Sequence, residues 1–124
     1  MNHPEGMALT CLIVEDSATF LSASTRLLET EGIAVVGHAS TAREAVARAA
    51  ETRPDVALVD VDLGDDDGFA VAELLTSLAA AIILISGDAP DGLRDRIDES
   101  SALGFIAKID LSAREIEKLL RSRR

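Results

Sequence analysis

Five short runs rich in β-branched and aliphatic residues recur along the chain, each followed by an amphipathic stretch of helical period, and this alternation leaves few folds open. The runs are Leu9 to Val14, Ile33 to Gly37, Val56 to Asp60, Ala81 to Ser86 and Gly104 to Ala107. The helical stretches are Ala18 to Glu31, Thr41 to Arg53, Phe69 to Leu78, a weaker one near Leu93 to Ser100, and Ala113 to Arg121. Two strands joined through a helix pair in parallel by a right-handed crossover. The pattern therefore predicts an α/β fold, a doubly wound five-stranded parallel sheet with helices on both faces. The third run, VALVD, is apolar without alternation, as a strand covered on both faces requires.

Punctuation agrees with periodicity. Gly32 follows LLETE as a C-terminal cap, and Thr41 with Glu44, and Ser112 with Glu115, have capping-box spacing. Phe20, Leu27 and Leu28 are expected to form the core stripe of the first helix, and Ile116, Leu119 and Leu120 that of the last. With 124 residues, 48% of them hydrophobic, the chain has the material for one domain that buries its own core.

Ligands of such sheets meet the carboxyl ends of the strands. The sequence concentrates its chemistry there. VALVDVDLGDDDG carries Asp60 at the end of a strand, CLIVEDS ends in Glu15 and Asp16, IILISG ends in Ser86, and GFIAKI delivers Lys108. Glu15, Asp16 and Asp60 cannot converge without severe repulsion unless a cation neutralises them, and hard oxygen donors suit Mg²⁺. Ser86 supplies a hydroxyl and Lys108 a point charge, the two groups needed to hold a phosphoryl group placed on Asp60.

Composition excludes other chemistry. Acidic residues number 22 against 12 basic, and the formal charge of −10 disfavours nucleic acid and anionic membrane surfaces as partners. No stretch approaches the ~20 apolar residues of a membrane span, and MNHPEGMA lacks the layout of a secretory signal, so a cytoplasmic location is expected. The single Cys11, within LTCLIV, reads as a small buried hydrophobe. His3 and His38 lack metal-ligand spacing and read as structural, and the basic RSRR end complements a helix dipole.

Four motifs in this order, IVEDS, VALVDVDLGDDDG, ILISG and GFIAK, make the chain resemble the receiver domains of two-component response regulators, from Leu9 to about Leu120. The resemblance implies a single-domain, CheY-like module with a flavodoxin-like (βα)5 fold. By it, Asp60 is the phosphoacceptor, Glu15 and Asp16 hold Mg²⁺ together with Asp60, and the backbone carbonyl of Asp62 adds a ligand. Ser86 hydrogen-bonds the phosphoryl oxygens, Lys108 pairs with them, and Phe105 matches the switch aromatic that turns inward when the hydroxyl is drawn to the phosphate. The partner implied is a sensor histidine kinase or a phosphotransfer protein. The chain would be a signalling phosphoacceptor that assists its own phosphorylation and dephosphorylation rather than an enzyme.

Three positions depart from that pattern. Glu15 replaces the commoner aspartate, Gly64 stands where proline is usual and is expected to loosen the loop, and Ile109 rather than proline follows Lys108. None removes a reacting group. VDVDLG also looks like the nucleophile motif of haloacid-dehalogenase-like phosphatases, with Asp60 as nucleophile and Asp62 as general acid. In that family, however, the motif opens the fold, whereas here two strands precede it. A calcium loop counted from Asp62 puts Gly64 where an acid belongs and Asp67 where glycine belongs. A pseudo-receiver that only binds partners is disfavoured by the retained acceptor, hydroxyl and lysine.

The domain layout expected is a flexible extension at 1–8, the receiver at 9–121 and a basic tail at 122–124. Asp65 and Asp66 are expected to be solvated, and Asp67 with Gly68 to turn the chain into the third helix. Asp62 and Asp88 each lie two residues past a reacting position, near an attacking water. If nothing follows the fifth helix, the module acts by docking. A phosphoryl group adds about −2 charge, draws Ser86 inward and remodels the surface of the fourth helix, fifth strand and fifth helix for a downstream protein. The poorly patterned GDAPDGLRDRIDESSALG makes the fourth helix the mobile element.

Overall fold

Val56–Asp60 is buried at every position, and the molecule is organised around it. The computed structural model describes residues 8–87 and 90–122. His3, Asp88, most of the expected extension and residues 123–124 lie outside them. Five parallel strands, β1 (Thr10–Val14), β2 (Ala34–Ala39), β3 (Val56–Asp60), β4 (Ala81–Ser86) and β5 (Gly104–Ala107), form one sheet in the order β2-β1-β3-β4-β5. The helices are α1 (Ala18–Thr30), α2 (Ala42–Thr52), α3 (Gly68–Leu74), α4 (Arg94–Glu99) and α5 (Ala113–Ser122).

Two apolar cores lie on opposite faces of the sheet. Leu12, Val14, Ala57, Val59 and Leu84 point toward α2, α3 and α4, whereas Cys11, Ile13, Leu58, Ile83 and Ile85 point toward α1 and α5. Successive residues of a strand alternate faces, so a run apolar throughout feeds both cores at once. Cys11 sits in the second core, where burial pushes its thiol up to about 12 and keeps it an unreactive hydrophobe. No helix among the described residues is long and apolar enough to cross a membrane.

Helix ends follow side-chain chemistry. Ser17 Oγ accepts from Phe20 N–H (3.2 Å), Thr41 Oγ1 from Glu44 N–H (3.1 Å), and Ser112 Oγ from Glu115 N–H (3.1 Å). Glu44 reaches back to Ser40 N–H (2.8 Å), one residue before the cap where a reciprocal box would place it. The chain leaves α1 through Gly32 at φ 95°.

Several boundaries and faces differ from the sequence reading. β2 runs on through His38 to Ala39, with a register shift against β1 between Cys11 and Leu12. His38 on this edge strand bonds Thr25 Oγ1 (2.9 Å). α3 stops at Leu74, because Thr76 Oγ1 takes the carbonyl of Glu73 and the chain tightens around Leu75. Arg94–Glu99 is preceded by a 3-10 turn, Pro90–Leu93, and buries no residue. Leu27 is not core: it is 38% exposed, because Leu21, Ser24 and Leu28 take the inward face and a neighbour of Leu28 is turned about 100° away. The Ser24 hydroxyl is satisfied by the Phe20 carbonyl (2.6 Å).

Candidate functional site

Strand register assembles the site. Val14 pairs with Val59, so Glu15 follows β1 beside Asp60 at the end of β3. Asp60 pairs with Ile85, which puts Ser86 one step further along β4. Ser86 pairs with Ala107, and Lys108 follows directly. Four polar groups thus emerge in a row at the carboxyl rim, each on the last turn of backbone that the sheet still fixes.

The row is tightly coupled. Lys108 Nζ lies 3.0 Å from Asp60 Oδ2 as a hydrogen-bonded ion pair and 2.5 Å from Glu15 Oε1. Asp60 Oδ1 accepts from Asp62 N–H (3.0 Å), and Glu15 Oε2 accepts from Ser17 N–H (3.0 Å). Asp60 is 4% and Glu15 1% exposed, while Asp16 faces solvent. Burial pushes the Glu15 carboxyl above its ordinary range, outweighing the pull of Lys108 and the Ser17 N–H, and the neighbouring Asp60 adds to the rise. Burial opposes the charge on Lys108, yet the two carboxylates win and raise it above the usual lysine value.

Glu15, Asp16 and Asp60 each present a carboxylate oxygen within 4.8 Å of the others. Glu15 Oε1 is buried with no donor aligned on it for a hydrogen bond, despite the nearby ammonium. An all-oxygen set of three carboxylates gathered at one rim fits a hard divalent cation. The longer arm of Glu15 therefore reaches both the cluster and Lys108.

The loop after Asp60 is ordered rather than loosened. Asp62–Leu63 pairs antiparallel with Asp66–Asp67, a small hairpin turned at Gly64, whose φ of 72° proline cannot adopt. A Cβ on Gly64 would lie 3.1 Å from Asp16 Oδ2, so glycine also leaves room for the acidic cluster. Asp62 Oδ1 accepts from Gly64 N–H (3.3 Å). Asp66, read from sequence as solvated, is half-buried and accepts from Ala42 N–H (2.9 Å) at the start of α2. Asp65 is exposed, and Asp67 caps α3 through Phe69 N–H (3.0 Å), as expected. Gly68 is buried under the strand end: its N–H donates to the Val61 carbonyl (3.1 Å), and a Cβ there would fall 1.9 Å from the carbonyl oxygen of Asp60.

The structure also joins groups that sequence reading left apart. The guanidinium of Arg96 on α4 meets Asp67 Oδ2 (2.6 Å) and stacks 4.2 Å from the ring centroid of Phe69. Glu73 on α3 accepts from the backbone N–H and hydroxyl of Ser101, both at 2.7 Å. Phe105 is half-buried against the core shared by α3 and α4, with Leu93, Ile97 and Ala102 around the same cluster. Phe20 lies under Lys108, 4.6 Å from Nζ to ring centroid. These contacts span distant sequence positions and carry no local motif.

Known proteins share this arrangement of strands and helices. The response regulator receiver domain family matches residues 11–121. The chain is 35% identical over 106 residues to a protein-glutamate methylesterase/protein-glutamine glutaminase of Alkalilimnicola ehrlichii, an alignment covering 82% of this chain and 27% of that protein. The signal receiver domain of a modulated diguanylate cyclase from Desulfovibrio desulfuricans superposes with a TM-score of 0.78 at 30% identity, covering 93% of this chain and 92% of that one. A Burkholderia pseudomallei response regulator, solved with a phosphorylated aspartic acid, a calcium ion and citrate, superposes with a TM-score of 0.79 at 26% identity, covering 92% and 67%. The match over residues 11–121, together with the fold shared with solved receiver domains, places this chain in the response regulator receiver domain family.

Proposed function

We propose that the chain is a phosphoacceptor module of a two-component pathway, taking a phosphoryl group on Asp60 from a sensor histidine kinase or a phosphotransfer protein. One observation carries this reading: the buried Asp60 carboxylate ends the central strand, paired to Lys108 and grouped with the oxygens of Glu15 and Asp16. The Burkholderia relative with its phosphorylated aspartate and bound cation supports it. Mg²⁺ would be held by Glu15, Asp16, Asp60 and the Asp62 backbone carbonyl, and when bound it neutralises charge on the phosphoryl oxygens.

The chain's own residues divide the remaining work. Asp62 N–H holds Oδ1 of Asp60 and orients the carboxylate, leaving Oδ2 on the side of Lys108. As the oxygen–phosphorus bond forms and the donor's bond to phosphorus breaks, the Lys108 ammonium pairs with the phosphoryl oxygens now carried on Asp60. The Ser86 hydroxyl donates to a phosphoryl oxygen and draws the loop after β4 inward, and Phe105 turns into the space so made. α4, β5 and α5 then present the altered surface to a downstream protein. The module is a cytoplasmic signalling acceptor rather than an enzyme, and its charge of −10 argues against nucleic acid or membrane partners.

Incubation with acetyl phosphate and Mg²⁺, followed by mass spectrometry, tests the proposal. A single phosphoryl adduct should form in the parent and in Asp62→Asn and be absent from Asp60→Asn, whose amide is not a competent nucleophile. Sustained turnover of a phosphate monoester that disappears in Asp62→Asn would instead identify a dehalogenase-like phosphatase, because loss of a general acid typically costs on the order of 10²- to 10⁴-fold.

A further inference from the structure

Lys108 is held from three sides, and the third is an aromatic ring. The carboxylates of Glu15 and Asp60 stand 2.5 and 3.0 Å from Nζ, and the Phe20 ring centroid 4.6 Å. Two acidic partners fix the distance of the ammonium from the rim but not its direction of approach, because a lysine head is a compact point charge on a flexible stem. The sheet fixes its backbone through Ala107 but leaves the four-carbon stem free to swing, and the loop that begins there is short. It is a single 3-10 turn, Lys108–Asp110, whose middle residue Ile109 is 93% exposed. Phe20 has the opposite character: it lies in the first turn of α1, its N–H bonded to Ser17 Oγ and its carbonyl to Ser24 Oγ, with its ring packed against the core between α1 and α5.

We propose that Phe20 is the positioning residue for Lys108, holding the ammonium over its ring face while the acidic partners change; this rests on reading Asp60 as the phosphoacceptor. When the Asp60–phosphorus bond forms and the donor–phosphorus bond breaks, the donor's leaving group departs with the bonding pair, Asp60 loses its carboxylate charge, and the charge facing Lys108 is now that of the phosphoryl oxygens carried on Asp60. Of the three partners, Asp60 alters its charge, and Glu15 remains to pull the ammonium away from the reacting centre. The ring is neutral and unaltered by the step, and its face attracts a cation at this range. It keeps Lys108 between Glu15 and the place where the new charge develops.

The chain has two lysines, Lys108 and the mostly exposed Lys118, so lysine side-chain NMR carries its own reference. In the parent and in Phe20→Tyr, ring current should displace the Lys108 Cε protons upfield of those of Lys118, and Phe20→Leu should abolish the displacement. Labelling of Asp60 by acetyl phosphate and Mg²⁺ should slow by about 2- to 10-fold in Phe20→Leu and return toward the parent rate in Phe20→Tyr. Coincident Lys108 and Lys118 shifts in the parent would overturn the proposal, as would an unchanged labelling rate in a folded Phe20→Leu that has lost the shift. Phe20→Met, flexible and similarly apolar, makes the same comparison should Phe20→Leu fail to fold. A parent that takes no phosphoryl group overturns the acceptor reading, while the shift comparison still decides what places Lys108.

Discussion

α2 and α4 cover the same face of the sheet, but they are held there by different forces. α2 buries Ala45 and Ala49 completely, is capped by Thr41, and receives Asp66 from the hairpin after Asp60 at its first turn. α4 has no fully buried residue and no side-chain cap; half-buried Ile97 rests on the core, Arg96 meets Asp67 and Phe69, and Glu73 meets Ser101 just beyond its end. Displacing α2 would open apolar core to water. Displacing α4 costs the half-buried contact of Ile97 and otherwise exchanges polar contacts that water can replace, and exposed ion pairs contribute only ~0–1 kcal/mol. An element that shifts at smaller cost therefore shares a face of the sheet with one that does not, both fastened to the hairpin that follows Asp60.

The contrast can be tested by attacking each helix in turn. The largest effect is expected from Ala45→Leu, which forces added volume into a closed interface and should cost about 1–3 kcal/mol in urea denaturation. Ile97→Ala on α4 removes a half-buried side chain and should cost about 1 kcal/mol, with faster amide exchange confined to α4 and β5. Smaller still, Arg96→Ala should cost under about 1 kcal/mol while raising exchange along α4 and leaving α2 protected. Equal acceleration in α2 would show that the two helices move together and that the contrast is false.

The weakest probe is pH. Glu44 and Glu73 titrate below the ordinary 4.5, chiefly because the backbone N–H groups of Ser40 and Ser101 favour their charged forms. A depressed carboxyl contributes stability above its ordinary value and loses it as pH falls through the lower folded value. Below about pH 4.5 the amide resonances of Ser40 and Ser101 should both move, with faster exchange spreading into α4 but stopping at the α2 cap, where Ala45 and Ala49 remain buried.

What could be read from the sequence was whatever the backbone repeats. An unbroken apolar strand names its own burial, and a parallel sheet sends the residue after each strand to one rim, so Asp60, Ser86 and Lys108 were legible without knowing any side-chain contact. Helix faces were legible less well: Leu27 and Leu28 are adjacent, and one turn of 100° per residue lets only one face inward. Least legible were contacts set by helix rotation and side-chain reach. Arg96 meets Asp67, and Phe20 meets Lys108, across sequence separations that no period encodes. Gly64 read as slack because a missing proline suggests freedom, yet its positive φ closes a hairpin that proline would have prevented.

The seating of Gly68 against the carbonyl of Asp60 locks the end of the central strand to the start of α3. With no space for even one carbon between the strand end and the first turn of α3, the two behave as a single hard stop behind the aspartate. Under the proposed acceptor role, the response is expected to run the other way, past Ser86 and Lys108 toward β5 and α4, so its route is set by what refuses to yield as much as by what binds.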